Sequence, residues 1–404
     1  MNKTPAVRFI GFAEDWEQRK LGEVSESYSG GTPSVGVKEY YGGQIPFIRS
    51  AEINSEITEL SLTEGGLKNS SARLVDVGDI LYALYGATSG EVGRARLKGA
   101  INQAILAIKP HAGYASEYLA QWLRKSKHSI IEKYLQGGQG NLSGTIVKEL
   151  SVDFPLLKEQ QTIGNFFSQL DHLITFHQRK YEKLKNIKKS MLEKMFPKNG
   201  SNVPEIRFKR FTDAWEQRKF GDIVQTRRGL TYKPTDIEES GIRVLRSSNI
   251  DEDTFVYGVD DVFVNPYAVN IEPVRKNDIL ITSANGSSRL VGKHALIKKI
   301  SDGSAVHGGF MLLGRTKNYD FVNASMSSSW YTKFINVFAA GGNGAIGNLN
   351  KNDLDEQVIL IPDDAEQIKI GEYFAALDNL ITLHHRKLKK LEQIKQAMLH
   401  KMFV

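Results

Sequence analysis

The chain has no cysteine, which excludes disulfides, thiolate metal sites and a cysteine nucleophile. That composition also fits a reducing compartment, so the expected location is the cytoplasm. No run approaches the ~18 uninterrupted apolar residues of a membrane span. The opening MNKTPAVRFIGF has no apolar core of a signal peptide. Neither sign of charge dominates strongly: 53 Lys and Arg against 46 Asp and Glu give +7. Such an excess permits a polyanionic partner without establishing one. With 41% hydrophobic and 25% charged residues the chain is globular rather than disordered. At 404 residues it is too long for one ordinary core, and two or three units are expected.

Catalytic signatures are missing too. The glycine-rich YGATSG lacks the Lys-Ser/Thr ending of a phosphate-binding loop, and no GxSxG or HExxH occurs. No paired-carboxylate nuclease motif or calcium loop is apparent, and the nine histidines do not cluster at metal-ligand spacing. Asn265-Pro266-Tyr267 faintly resembles the NPPY signature of amino-methyltransferases. It lacks the second proline and a preceding glycine-rich cofactor strand. Neither a catalytic residue nor a metal site is expected.

What the chain does contain is an internal repeat. VRFIGFAEDWEQRKLGEV (7–24) matches IRFKRFTDAWEQRKFGDI (206–223) at nine of eighteen positions, with an offset of 199. The segment 154–196 matches 361–403 at 23 of 43 positions, with an offset of 207. Between these anchors the halves diverge, leaving weak echoes: FIRSAEI with VLRSSNI, GDIL with NDIL, and Val92-Gly93 with Val291-Gly292. Each half is thus a variable block followed by a near-duplicate helical segment.

The duplicated segments read as long helices. Residues 157–196 contain strong helix formers and no glycine or proline except Gly164. Pro155 and Pro362 stand just ahead of the two starts, and Asp363 and Asp364 suit the second N-terminus. Apolar positions step by four and three: Ile163, Phe167, Leu170, Ile174, His177, Tyr181, Leu184, Lys188, Met191, Met195. The equivalents run from Ile370 to Met402, with His384 and Lys395 at the same polar breaks. This is a heptad seam. A helix of ~39 residues is about 58 Å long and needs a partner along its length. The two copies, paired antiparallel, are the expected partners; packing of each helix on its own block is the alternative. The seam histidines are read as register-setting residues rather than metal ligands. Lys188 and Lys395 are expected to snorkel, with the ammonium at the seam edge.

The variable blocks read as short strands divided by turns. IPFIRSA, DILYALYG, QAILAIKP, RVLRSSNI, DILITSA and FMLLG are strand-like. Gly30-Gly31, Gly42-Gly43, Gly65-Gly66, Asn285-Gly286 and Gly308-Gly309 are turn signals. One helix per block is expected, at 115–133 and 320–338, followed by glycine-rich loops at 137–144 and 341–350. Several loops mix cations, hydroxyls, amides and aromatics. Arg and Lys suit guanine, Asn and Gln suit adenine, and hydroxyls hold phosphates. The candidates in the first block are Thr32, Lys38 and Tyr40, then Arg49 and Ser50, then Tyr85, Thr88, Ser89 and Arg94. In the second block they are Arg227, Arg228, Tyr232 and Lys233, then Arg246, Ser247 and Asn249, then Asn285, Ser287, Ser288 and Arg289.

Twice the chain carries W-E-Q-R-K-x-G opening a variable block, and twice E-Q-x-x-I-G-x-F/Y-F-x-x-L-D-x-L-I opening a long helix. In this it resembles the specificity subunit of type I restriction–modification enzymes over nearly its whole length. Gly164 and Gly371 match the family's helix-start glycine, and Leu170-Asp171 and Leu377-Asp378 its core. The resemblance implies an α+β chain of two mixed, β-rich target-recognition domains, 1–153 and 206–360. Two conserved long helices, 154–196 and 361–404, would join them as an antiparallel coiled coil with pseudo-twofold symmetry, with 197–205 as linker. It implies a non-catalytic reader of a split, asymmetric site in double-stranded DNA. Modification subunits, two of them, would methylate and restriction subunits would translocate and cut. S-adenosylmethionine, ATP and magnesium would belong to those partners and no cofactor to this chain. The competing readings are a purely structural coiled-coil scaffold and a methyltransferase fused to its own reader.

Overall fold

The computed structural model describes residues 4–135, 141–198, 200–338 and 347–404. The chain divides into two units, and both divisions fall inside long helices. Unit 1 comprises Met1–Gln178 with Arg386–Val404, and unit 2 comprises Arg179–His385.

In unit 1 the first repeat, Glu17–Lys20, is an exposed strand paired antiparallel with Ser151–Phe154. The strand Ser25–Ser29 then enters an antiparallel sheet in the order Ser25–Ser29, Ile105–Pro110, Ile80–Ala83, Val92–Arg94. A second sheet is ordered Leu60–Leu62, Tyr41–Ile48, Gly99–Ile101, Arg73–Val75, with one parallel pairing between Tyr41–Ile48 and Gly99–Ile101. Unit 2 repeats the plan. Glu216–Lys219 pairs with Val358–Ile361, and Gln225–Arg228 opens the sheet containing Met311–Arg315, Ile279–Thr282 and His294–Leu296. Its second sheet again has one parallel pairing, Ile242–Leu245 with Ala305–His307.

Two of the three weak echoes now have causes. GDIL and NDIL enter the central strand through a left-handed residue, Gly78 (φ 94°) or Asn277 (φ 72°), a conformation that glycine and asparagine tolerate. FIRSAEI and VLRSSNI are capped turns: Arg49 N donates to Glu52 Oε2 at 3.1 Å, and Arg246 N to Asn249 Oδ1 at 2.8 Å. The third echo is a coincidence of sequence. Val92 lies opposite Tyr82, whereas His294 lies opposite Ile281. Gly90, which donates to Ala83 O at 2.8 Å, is the structural counterpart of Gly292, which donates to Thr282 O at 2.8 Å.

Two further expectations need correction. Gly65-Gly66 lies in a short helix, Glu64–Lys68, because Thr63 Oγ1 caps Gly66 N at 3.0 Å. The helix expected at 320–338 is two helices, Tyr319–Met326 and Ser329–Phe338. A run of serines breaks it: Ser328 Oγ donates to Ser325 O at 2.7 Å, competing with the helical ladder. Its counterpart in unit 1 is one helix, Ser116–Leu135. The glycine-rich loops keep only 141–144 and 347–350 among the described residues.

The long helices are Leu157–Lys194 (38 residues) and Asp364–Met402 (39 residues). In unit 1 the start of the first helix shares a core with Trp16, Tyr118 and the chain's last turn, Leu399, Met402 and Phe403. Phe167 stacks on Phe403 at 5.8 Å, and Asp171 Oδ1 lies 2.6 Å from Lys395 Nζ, so the two helical segments run antiparallel there. Unit 2 makes the equivalent core from Trp215, Phe321, Phe374, Met195 and Phe196. Tyr181 stacks on His385 at 5.1 Å, and Lys188 Nζ lies 2.8 Å from Asp378 Oδ1, again antiparallel. The seam lysines therefore do more than snorkel: each pairs with the aspartate of the Leu-Asp motif on the opposite helix. Burial works to lower the Lys188 pKa, but the Asp378 and Asp253 carboxylates outweigh it and hold the pKa above the usual lysine value.

Candidate nucleic-acid interface

Close backbone approach draws five loops of each unit to one edge of its sheets. In unit 1, Gly31 N donates to Ile101 O at 3.2 Å, Asn102 N to Ile48 O at 3.4 Å, Leu84 N to Ala104 O at 2.8 Å and Leu142 N to Leu84 O at 2.9 Å. A Cβ on Gly30 would lie 1.8 Å from Ile101 O, so only glycine allows this approach. In unit 2, Leu230 N donates to His307 O at 2.7 Å, Gly308 N to Leu245 O at 2.9 Å, Ser283 N to Phe310 O at 2.9 Å and Leu349 N to Ser283 O at 2.7 Å. There a Cβ on Gly229 would lie 1.9 Å from Gly308 O. The same frame thus presents two different sets of side chains.

In unit 1 the edge carries Thr32, whose hydroxyl donates to Gln103 Oε1 at 2.6 Å, and the turn holding Tyr85, Thr88 and Ser89. Ser89 Oγ donates to Leu84 O at 3.1 Å. Lys38 is exposed and Tyr40 half-buried on the single turn Lys38–Tyr40. Arg49 is committed to Glu52 (3.1 Å) and Glu59 (2.5 Å), and Ser50 starts the adjoining turn. Arg94 is not with them. Its Nη1 donates to Glu117 Oε2 at 3.0 Å, in a network that continues through Arg124 to Asp171 on the long helix.

In unit 2 the edge brings Ser247 and Asn285 together, Asn285 Nδ2 donating to Ser247 Oγ at 2.9 Å. Ser287, Ser288 and Arg289 are exposed on the following turn, as are Arg228 and Lys233, with Tyr232 half-buried. Arg227 pairs with Glu272, and Arg246 Nη2 donates to Asp260 Oδ2 at 3.2 Å. Asn249 is buried; its amide donates to Asp261 Oδ1 at 2.7 Å and Val256 O at 3.1 Å, so it shapes the loop and offers no face to a base. Asn265 is likewise committed. It caps Tyr267 N at 2.9 Å and donates to Glu238 at 2.6 Å, which makes the Asn-Pro-Tyr fragment a turn. Sequence reasoning missed Gln103 and Phe310. Gly308-Gly309 marked the turn before Phe310, but nothing in the sequence places that turn beside Ser283. Among the described residues no group of His, Asp and Glu is arranged to hold a metal ion. No described helix is long and apolar enough to cross a membrane.

The family model of the type I restriction modification DNA specificity domain matches twice, over residues 13–186 and 212–393. The chain belongs to this family. Its role is that of a specificity subunit: DNA recognition in type I restriction–modification. The MjaVIII specificity subunit of Methanocaldococcus jannaschii is 22% identical over 404 residues, covering 96% of this chain and 92% of that protein. The MjaIX specificity subunit of the same organism is 29% identical over 272 residues, covering 63% of this chain and 62% of the relative. The crystal structure of a type I S subunit from M. genitalium has the same fold, with a TM-score of 0.69, 16% identity and 99% of each chain covered.

In this specificity subunit the repeated motifs are structural. The Glu that opens each E-Q-x-x-I-G segment is fully buried and accepts two bonds from the arginine that precedes W-E-Q-R-K in the same half. Arg8 reaches Glu159 at 2.7 and 2.8 Å, and Arg207 reaches Glu366 at 2.7 and 2.6 Å. These partners hold both arginine pKa values above the usual. Each Gln donates back to the proline carbonyl ahead of the helix, Gln160 to Pro155 O at 2.8 Å and Gln367 to Pro362 O at 2.9 Å. Gly164 and Gly371 let the N-terminus of a neighbouring helix approach: a Cβ would lie 3.1 Å from Tyr118 N or 2.8 Å from Phe321 N.

Proposed function

We propose that each unit reads one half of a split, asymmetric DNA site, and that the long helices set the gap between the halves. The observation that carries this reading is the contrast within the chain. The scaffold contacts recur nearly atom for atom, Arg8–Glu159 with Arg207–Glu366 and Asp171–Lys395 with Asp378–Lys188, while the loop-edge side chains differ. Duplicated frames with unlike edges suit a bipartite site with unlike halves. In this reading the helices form an antiparallel coiled coil, the chain has pseudo-twofold symmetry, and residues 1–153 and 206–360 are the readers.

The chain itself performs no chemistry in this proposal. Methyl transfer, with S-adenosylmethionine, and ATP- and magnesium-dependent translocation and cleavage fall to modification and restriction subunits in the cytoplasm. Leu173 and Phe176 are exposed on the first helix, and so are their repeat equivalents Leu380 and Leu383 on the second. An exposed apolar pair kept at the same place in both repeats supports two copies of one partner, the modification subunit. The test is to replace residues 1–153 with the block of another specificity subunit and sequence the methylated sites. One half of the motif should change; a change in both halves would refute modular reading. Methyl transfer by the purified chain alone would favour a fused methyltransferase.

A further inference from the structure

Phe310 is 73% exposed, yet its backbone is among the most firmly held at the edge of unit 2. Its carbonyl accepts from Ser283 N at 2.9 Å and from Ala284 N at 3.1 Å, and Met311 N closes the turn onto Gly308 O at 2.8 Å. Gly229 and Gly308 lock the base of the turn by close approach. The ring stands on a rigid tip whose neighbouring loops are polar: Ser283 and Ala284 lead into Asn285, which is bonded to Ser247. The corresponding residue of unit 1 is Ala104, whose carbonyl accepts from Leu84 N at 2.8 Å. Ala104 is 6% exposed. At one place in a shared frame, one unit has a buried alanine and the other a projecting apolar ring.

A single exposed apolar residue is ordinary on a surface. A firmly held one among the polar loops of the candidate interface is a contact waiting for an apolar group. The base edges of duplex DNA offer one such group in the major groove, the thymine C5-methyl. We propose that Phe310 is a specificity-determining residue that reads a thymine methyl in the half-site of unit 2, with no counterpart in unit 1. This rests on the split-site reading above. A Phe310 substitution leaves the fold intact, because the ring packs on no core.

The test uses the chain assembled with its modification subunits and duplexes carrying the methylated motif. Each thymine in the motif is replaced in turn by uracil, which removes only the methyl. For the wild type, one replacement in one half-site should weaken binding about fourfold, the worth of one buried methyl. For Phe310→Ala that uracil penalty should vanish while binding to the thymine duplex falls by about the same factor. Phe310→Leu, which keeps an apolar contact, should restore part of it. A uracil penalty unchanged in Phe310→Ala, or a wild type indifferent to uracil everywhere, would overturn the assignment. Absence of any sequence preference in the wild-type complex would instead overturn the split-site reading itself.

Discussion

Lys395 Nζ sits 2.6 Å from Asp171 Oδ1, and the pair joins the last helix to the first. Lys188 and Asp378 make the same contact at 2.8 Å in the other unit. Both pairs are partly shielded from solvent, so removing one partner leaves a charge poorly hydrated. Asp171→Ala should cost about 1–3 kcal/mol of stability. The swapped pair, Asp171→Lys with Lys395→Asp, should recover part of that loss in a double-mutant cycle followed by thermal denaturation. Additive losses would show that the pair does not couple the helices.

Gly164→Ala and Gly371→Ala should destabilise although alanine is the better helix former by about 1 kcal/mol. The added methyl would lie 3.0 Å from Glu117 Cβ in the first case and 2.8 Å from the Phe321 amide nitrogen in the second. Gly371→Ala should be the worse of the two, since its methyl would meet a backbone nitrogen at 2.8 Å, against 3.1 Å from Tyr118 N for Gly164. Chemical denaturation midpoints of the two variants decide it; a gain in stability would contradict the close-approach explanation.

The buried Glu159 and Glu366 depend on Arg8 and Arg207. Arg8→Ala should cost about 3–5 kcal/mol, the usual result of stranding a buried charge. Replacing both partners, Arg8→Leu with Glu159→Leu, should cost much less. Calorimetry of the single and double variants checks this; equal losses would indicate that the bidentate pair itself, rather than stranding, carries the energy.

His307 lies beneath the edge of unit 2, with Nε2 3.2 Å from Arg227 O. Burial pushes its pKa down to about 4. The unfolded chain titrates near 6.5, so between those values the unfolded state binds the extra proton. Stability should therefore be lost as pH falls from about 6.5 towards 4, and level off below. His307→Gln should flatten this part of the melting-temperature profile; an unchanged slope would assign the loss to other groups.

Much of the scaffold was legible in the sequence because it is duplicated. Two copies of WEQRK and of E-Q…I-G…L-D fix register by comparison, and heptad spacing marks the helices. The lysine at each seam break was visible, but its aspartate partner was not, because the sequence does not say which turn of one helix faces which turn of the other. The loop edge was less legible. Arg94 and Asn249 read as polar loop residues, yet one faces the helices and the other is buried in its own turn. Phe310 read as the start of a strand, because only tertiary packing brings its turn to the edge.

The proposed spacing role of the helices has its own test. Chain crossings between the units fall at Gln178/Arg179 and His385/Arg386. Seven residues inserted at both places keep each ion pair within its unit and preserve the seam. The gap between half-sites should grow by about 10 Å, or roughly three base pairs. An insertion near residue 185 in one helix alone would instead displace Lys188 from Asp378 and destabilise the protein.

The most direct test of bipartite reading is sequencing of methylated sites in cells that carry this subunit with its modification partner. The expected result is one motif of two unlike specified halves separated by a fixed number of unspecified positions, lost when the gene for this chain is deleted. A contiguous motif, or two identical halves, would contradict it.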